Sequence, residues 1–157
     1  MSLIQPYIDS LEQLKADIPK IAENIVKQNA DEIIRIIQRK QLGIGLNSFG
    51  NPLSWEKGTG FYSPYTQDYA DRDNIITPKP AGQPYNFSWS QDTFRTMVLE
   101  VRQEGAFEIF TKDGKQNLLE SIYGEIFDLT PEHNEYVNQV IILPSLYRYL
   151  LDNLFKI

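Results

Sequence analysis

Residues 93–124, TFRTMVLEVRQEGAFEIFTKDGKQNLLESIYG, decide the fold. From Thr93 to Arg102 the sequence alternates in part, with Phe94, Val98 and Leu99 apolar and Glu100 and Arg102 polar. Beyond Glu104-Gly105, the run Ala106 to Thr111 continues the pattern, which predicts two strands joined as a β-hairpin. Lys112-Asp113-Gly114-Lys115 is a turn, because Asp-Gly supplies the positive backbone angle that a tight turn requires. Gln116 to Tyr123 then changes to helical spacing, with Leu118, Leu119 and Ile122 expected inward and Gly124 as a left-handed terminator. Strand and helix within one short stretch exclude both all-α and all-β architectures. The expected class is α+β.

Working outward, Thr130-Pro131-Glu132-His133 is a helix start, a capping threonine followed by proline in the first turn. Glu132 to Phe155 is expected to be helical with Val137, Ile141, Leu146, Leu150, Leu151 and Leu154 inward, and Pro144 is expected to kink or divide it. Upstream, residues 7–40 also read as helical. Asp9 and Ser10 are expected to cap a short leading helix, and Pro19 to open a second one. Ile21, Ile25, Val26, Ala30, Ile33, Ile34 and Ile37 form an apolar stripe at three- and four-residue spacing. The helix is expected to stop before Gly43, and its isoleucines favour packing against a sheet or another subunit.

Between these flanks lies an unusual segment. Residues 43–90 hold six of the nine glycines and five of the nine prolines, which breaks any long helix or strand. Yet ten of the nineteen aromatics fall within residues 49–94, far from a linker composition. A long irregular segment this rich in rings has two readings. Either the rings cover their own domain, or the segment is an arm that orders against neighbouring subunits. Phe49, Trp55, Phe61, Tyr62, Tyr65, Tyr69 and Trp89 are the expected subunit contacts, since aromatic side chains are the anchors interfaces favour.

The chain of 157 residues is expected to form one domain: N-terminal helices over 1–42, the aromatic-rich arm over 43–90, and the hairpin with C-terminal helices over 91–157. Its net charge of −6 is concentrated in residues 91–157, where eleven acidic residues face six basic ones. No basic footprint for nucleic acid is present. No apolar run is long enough to span a membrane, and the first six residues are too polar for a secretory signal, so a soluble intracellular protein is expected.

Chemistry is sparse. There are no cysteines, which excludes disulfides and thiolate sites. The single histidine, His133, falls in the exposed first turn of a predicted helix, where a proton would oppose the helix dipole. Asp68, Asp71, Asp73 and Asn74 lack the glycine and glutamate of a calcium-binding loop. Neither Gly43-Ile44-Gly45 nor Gly58-Thr59-Gly60 completes a nucleotide-binding fingerprint, and no Gly-x-Ser-x-Gly elbow occurs. Glu100, Glu104 and Glu108 are ordinary exposed residues of a hairpin. No enzyme, cofactor or metal is expected. Trp55, Tyr62, Tyr65 and Trp89 also fit a sugar-stacking surface, so a non-catalytic module for glycans or a host-surface ligand is the alternative.

Three segments carry a family resemblance: Gln41 to Leu53 (QLGIGLNSFGNPL), Tyr62 to Ala70 (YSPYTQDYA), and Leu119 to Glu132 with Tyr123-Gly124 and Leu129-Thr130-Pro131-Glu132. Together with the preceding long helix, they resemble small neck and tail-completion proteins of tailed bacteriophages and prophages, over roughly residues 25–150. The resemblance implies a structural subunit of a head–tail connector ring that joins portal or capsid to tail. Its implied partners are copies of itself and neighbouring portal, connector or tail proteins, with DNA passing nearby without sequence-specific binding. The implied location is the virion neck or tail, reached from the host cytoplasm during assembly.

Overall fold

The computed structural model describes residues 5–53, 87, 92–102 and 106–154. The first element, α1 (Gln5–Gln28), is one continuous helix, which corrects the expectation of two. Pro19 lies inside it on an exposed position, while Ile21, Ile25 and Val26 are buried. The proline removes one backbone donor, but the face buried beyond it holds the helix together. Asp9 and Ser10 are not caps. Asp9 accepts from the Gln5 amide at 2.8 Å, and the Ser10 hydroxyl donates to the Pro6 carbonyl at 2.8 Å.

Asn29 interrupts the helix, its side-chain amide donating to the Ile25 carbonyl at 2.7 Å. Helix α2 (Ala30–Ile36) follows, then a π turn (Ile37–Gln41) and a 3-10 turn (Leu42–Ile44). Ile33, Ile36, Ile37 and Leu42 are buried, so the expected stripe is present, but the helical run passes the expected stop before Gly43 and ends at Ile44. Close packing requires that glycine, because a Cβ there would run into the Gln38 carbonyl oxygen.

A helical turn, α3 (Asp92–Arg95), replaces the expected start of the first strand. Thr96 donates to the Asp92 carbonyl through both its amide (3.1 Å) and its hydroxyl (2.8 Å), which closes the turn. Strands β1 (Met97–Val101) and β2 (Phe107–Thr111) then pair antiparallel, with Met97 opposite Thr111 and Leu99 opposite Ile109. That face, continued by Val101 and Phe107, packs on the core. On the other face Glu100 stands opposite Glu108, a repulsive pair relieved by Arg102, whose Nε donates to Glu108 at 3.0 Å.

The Asp-Gly turn forms as expected, with Gly114 at φ 75° and the Lys115 amide donating to Asp113 at 2.9 Å. Helix α4 (Gln116–Tyr123) ends at Gly124, φ 74°. Leu119 and Ile122 pack on the core, but Leu118 is exposed, because the inward stripe continues through Tyr123 and Ile126 instead. Helix α5 (Pro131–Tyr136) starts at Thr130, whose hydroxyl accepts from the His133 amide at 3.2 Å. A π turn (Val137–Ile142) leads into α6 (Leu143–Leu154). Pro144 divides the run as predicted. The π turn absorbs the missing donor, and the Ser145 hydroxyl satisfies the Ile141 carbonyl at 2.8 Å. Val137 and Ile141 are buried, and Leu146, Leu150 and Leu151 are half-buried.

A single cluster joins these elements, with Ile33, Ile37, Leu42, Leu53, Ile126 and Val137 at its centre. Helix α1 rests against both α6 and β1. Mixed helix and strand is therefore the architecture, with a long N-terminal helix, a two-stranded antiparallel sheet and C-terminal helices. Among the described residues no helix is long and apolar enough to cross a membrane.

Candidate functional site

The most elaborated polar structure lies where the N-terminal helices hand over to the aromatic segment. Gln41 is fully buried at the end of the π turn, an unusual place for an amide. Its Nε2 donates to the Asp128 carbonyl at 2.7 Å, and its Oε1 accepts from the Thr130 amide at 3.1 Å. One side chain thus ties residue 41 to the loop that starts α5, and burial makes each bond costly to lose. Ser48 adds a second tie: its amide donates to the Glu125 carbonyl at 2.9 Å, and its hydroxyl accepts from the Asp128 amide at 3.1 Å.

Between these ties the chain makes a tight reversal. Gly45, at φ 83°, receives the Leu53 amide on its carbonyl at 2.7 Å, and Leu46 bridges to Pro52. Asn47 organises the tip, its Oδ1 accepting from the amides of Phe49 (3.0 Å) and Asn51 (2.9 Å). This leaves Phe49 outermost and 63% exposed. Large exposed rings on a rigid turn are candidate contacts.

The aromatic segment is rooted at both ends. Leu53 is fully buried before it, and Phe87 is buried near its end, both in the same cluster. Phe87 meets Tyr123 edge-on with centroids 5.4 Å apart, and Phe94 at 6.4 Å. These contacts hold Phe87 at φ 54°, a left-handed angle that costs a non-glycine residue roughly 1–2 kcal/mol. Burying such a ring gives back about 1.5–3 kcal/mol. Of the seven expected contact residues, Phe49 is placed on the surface beside the root. Trp55, Phe61, Tyr62, Tyr65, Tyr69 and Trp89 lie outside the described residues, as do Asp68, Asp71, Asp73 and Asn74.

Beside Phe49 an open cleft of about 510 Å³ runs between Ile44 and the first turn of α5. His133 lines it, half-buried where an exposed residue was expected. Its Nδ1 is buried with no hydrogen-bond partner among the described residues. Burial, aided by the charge of Lys40 and opposed by Glu132, lowers its pKa below 6.5, so the ring is neutral at neutral pH. Lys40 itself sits over the Tyr136 ring, 4.8 Å from the centroid. No group of three or more metal-ligating side chains converges among the described residues. Sequence reasoning missed the clasp made by Gln41, since periodicity treats a glutamine as surface. Compared with known proteins, the chain matches no family model, no curated protein and no solved structure.

Proposed function

We propose that the chain is a structural ring subunit of the head–tail connector or tail-completion region of a tailed phage, with residues 54–86 acting as an arm that binds neighbouring subunits. The observation that carries this reading is the double root. Leu53 and Phe87 are both core residues, and the clasp of Gln41 and Ser48 fixes the turn that leads out. Two core residues thus bracket the aromatic segment in sequence, and the clasp beside Leu53 marks where the chain leaves the core. Phe49 adds an exposed ring at the same spot. The acidic excess of residues 91–157 supports the DNA-channel aspect, because like charge discourages phosphate contacts and lets DNA slide.

The test is incorporation. Mass spectrometry of purified virions should find the chain, and replacing Trp55, Tyr62 and Tyr65 together with serine should remove it from particles while sparing folding. Absence of the natural chain from particles would end the ring reading. Unfolding of the triple variant would instead make the segment a cover for its own domain. Binding of the natural chain to immobilised glycans, lost in that variant, would favour the alternative.

A further inference from the structure

A pocket of unlike charge to the rest of the chain lies beside α3. The side-chain amide of Gln38, in the π turn after α2, donates to the Phe94 carbonyl at 2.8 Å. The residue that follows each bonded partner is an arginine, so this one bond brings Arg39 and Arg95 together from distant parts of the sequence. With Gln38 and Phe94 they line an open pocket of about 420 Å³. Both arginines are exposed, and neither is in an ion pair among the described residues. No acidic side chain among the described residues lines the pocket, although the chain as a whole carries a net charge of −6. The pocket also adjoins a root of the aromatic segment. Phe94 is half-buried against the core, with its ring centroid 6.4 Å from that of Phe87.

Two guanidinium groups beside an aromatic ring suit a ligand that presents carboxylates around a flat side chain, because the planar guanidinium donates two parallel hydrogen bonds to a carboxylate. The sequence itself holds such a ligand. Residues 68–73 read DYADRD, with the carboxylates of Asp68, Asp71 and Asp73 set around Tyr69 and only Arg72 opposing them. We propose that the pocket formed by Arg39, Phe94 and Arg95 receives this acidic run from a second copy of the chain. The carboxylates meet the two arginines, and Tyr69 packs on the Phe94 ring. Pocket and run are different patches of one sequence, so the contact is head-to-tail and repeats from copy to copy, as a closed ring requires. The inference rests on the arm reading above and names the part of the arm that is gripped and the groups that grip it. One exposed ion pair contributes little by itself, so both arginines and the ring are needed together.

A fluorescent peptide of residues 65–74, titrated into the full chain and followed by anisotropy, tests the pairing. The first receptor carries Asp68→Asn, Asp71→Asn and Asp73→Asn, which neutralise its own run. It should bind the peptide, and more weakly as salt rises. Adding Arg39→Glu and Arg95→Glu should cut the affinity about tenfold or more, whereas Lys15→Glu, at an exposed position on α1, should leave it unchanged. A peptide with lysine in place of the three aspartates should recover binding to the arginine-reversed chain, which also shows that this chain is folded. The neutralised chain failing to bind overturns the proposal, as does equal binding by the arginine-reversed chain. A natural chain that is monomeric by sedimentation and refuses the peptide, while the neutralised chain takes it, makes its own run the occupant and overturns the second copy. Binding of a duplex oligonucleotide at the two arginines in place of the peptide assigns the pocket to phosphate and overturns it too. Should the Trp55, Tyr62 and Tyr65 serine variant be lost from particles while the peptide does not bind, the arm reading stands and this inference alone falls. Peptide binding by a chain that is absent from virions upholds the pocket and ends the ring reading.

Discussion

At the level of single residues, Gln41 is a polar side chain taken fully out of water, and His133 is half-buried with its Nδ1 out of water. Replacing Gln41 with leucine keeps its volume but orphans the buried Thr130 amide. The expected loss is about 1–3 kcal/mol in urea unfolding, and a loss below about 0.5 kcal/mol would show that the clasp is replaceable by solvent. His133 makes stability depend on pH. Its folded-state pKa lies below its ordinary 6.5, chiefly through burial and with Lys40 adding to the shift. As pH falls, the unfolded chain therefore takes up the proton first. The contribution is complete above 6.5 and is lost as pH falls through the lowered folded value. The natural chain should thus lose more stability than His133→Gln on going from neutral to about pH 5. Parallel denaturation curves for the two proteins at both pH values would refute the half-buried neutral ring.

Among the elements, α1 departs most from its sequence reading. Proline opens helices far more often than it sits within them, which is why Pro19 reads as a start. Here Ile21, Ile25 and Val26 are held by the core, and that tertiary burial carries the helix through the proline. Pro19→Ala restores a backbone donor at an exposed position and should stabilise the chain by up to about 3 kcal/mol, seen as a raised melting temperature. If melting is unchanged, the local helix is already bent to suit the ring. The hairpin, the Asp113-Gly114 turn, the Thr130 cap and the Gly124 terminator were legible because each depends on chemistry within a few residues. The turn at Asp92–Arg95 was not, since its reason is distant: the Thr93 hydroxyl donates to Asp113 at 2.9 Å.

For the whole molecule, two described core residues bracket in sequence the segment that the proposed function depends on. Leu53 and Phe87 belong to the cluster, whereas Trp55, Tyr62 and Tyr65 fall between them in sequence. On the arm reading, exchanging those three rings for serine should move the unfolding free energy by less than about 0.5 kcal/mol, as ordinary surface changes do, while incorporation into particles fails. Of the candidate site, the glycines marked a break in regular structure, but no pattern pointed to Leu53 and Phe87 as core residues or to the buried glutamine that fastens the turn.

The two buried roots also bear on how such a chain changes over generations. Thirty-three residues, 54–86, separate Leu53 from Phe87. Holding the ends of a segment together costs entropy that grows only with the logarithm of its length, so doubling the segment adds roughly 0.6 kcal/mol. Changes of length between the roots then cost little in loop closure, and on the arm reading related chains should differ most in length and sequence between these two positions while keeping an apolar residue at each.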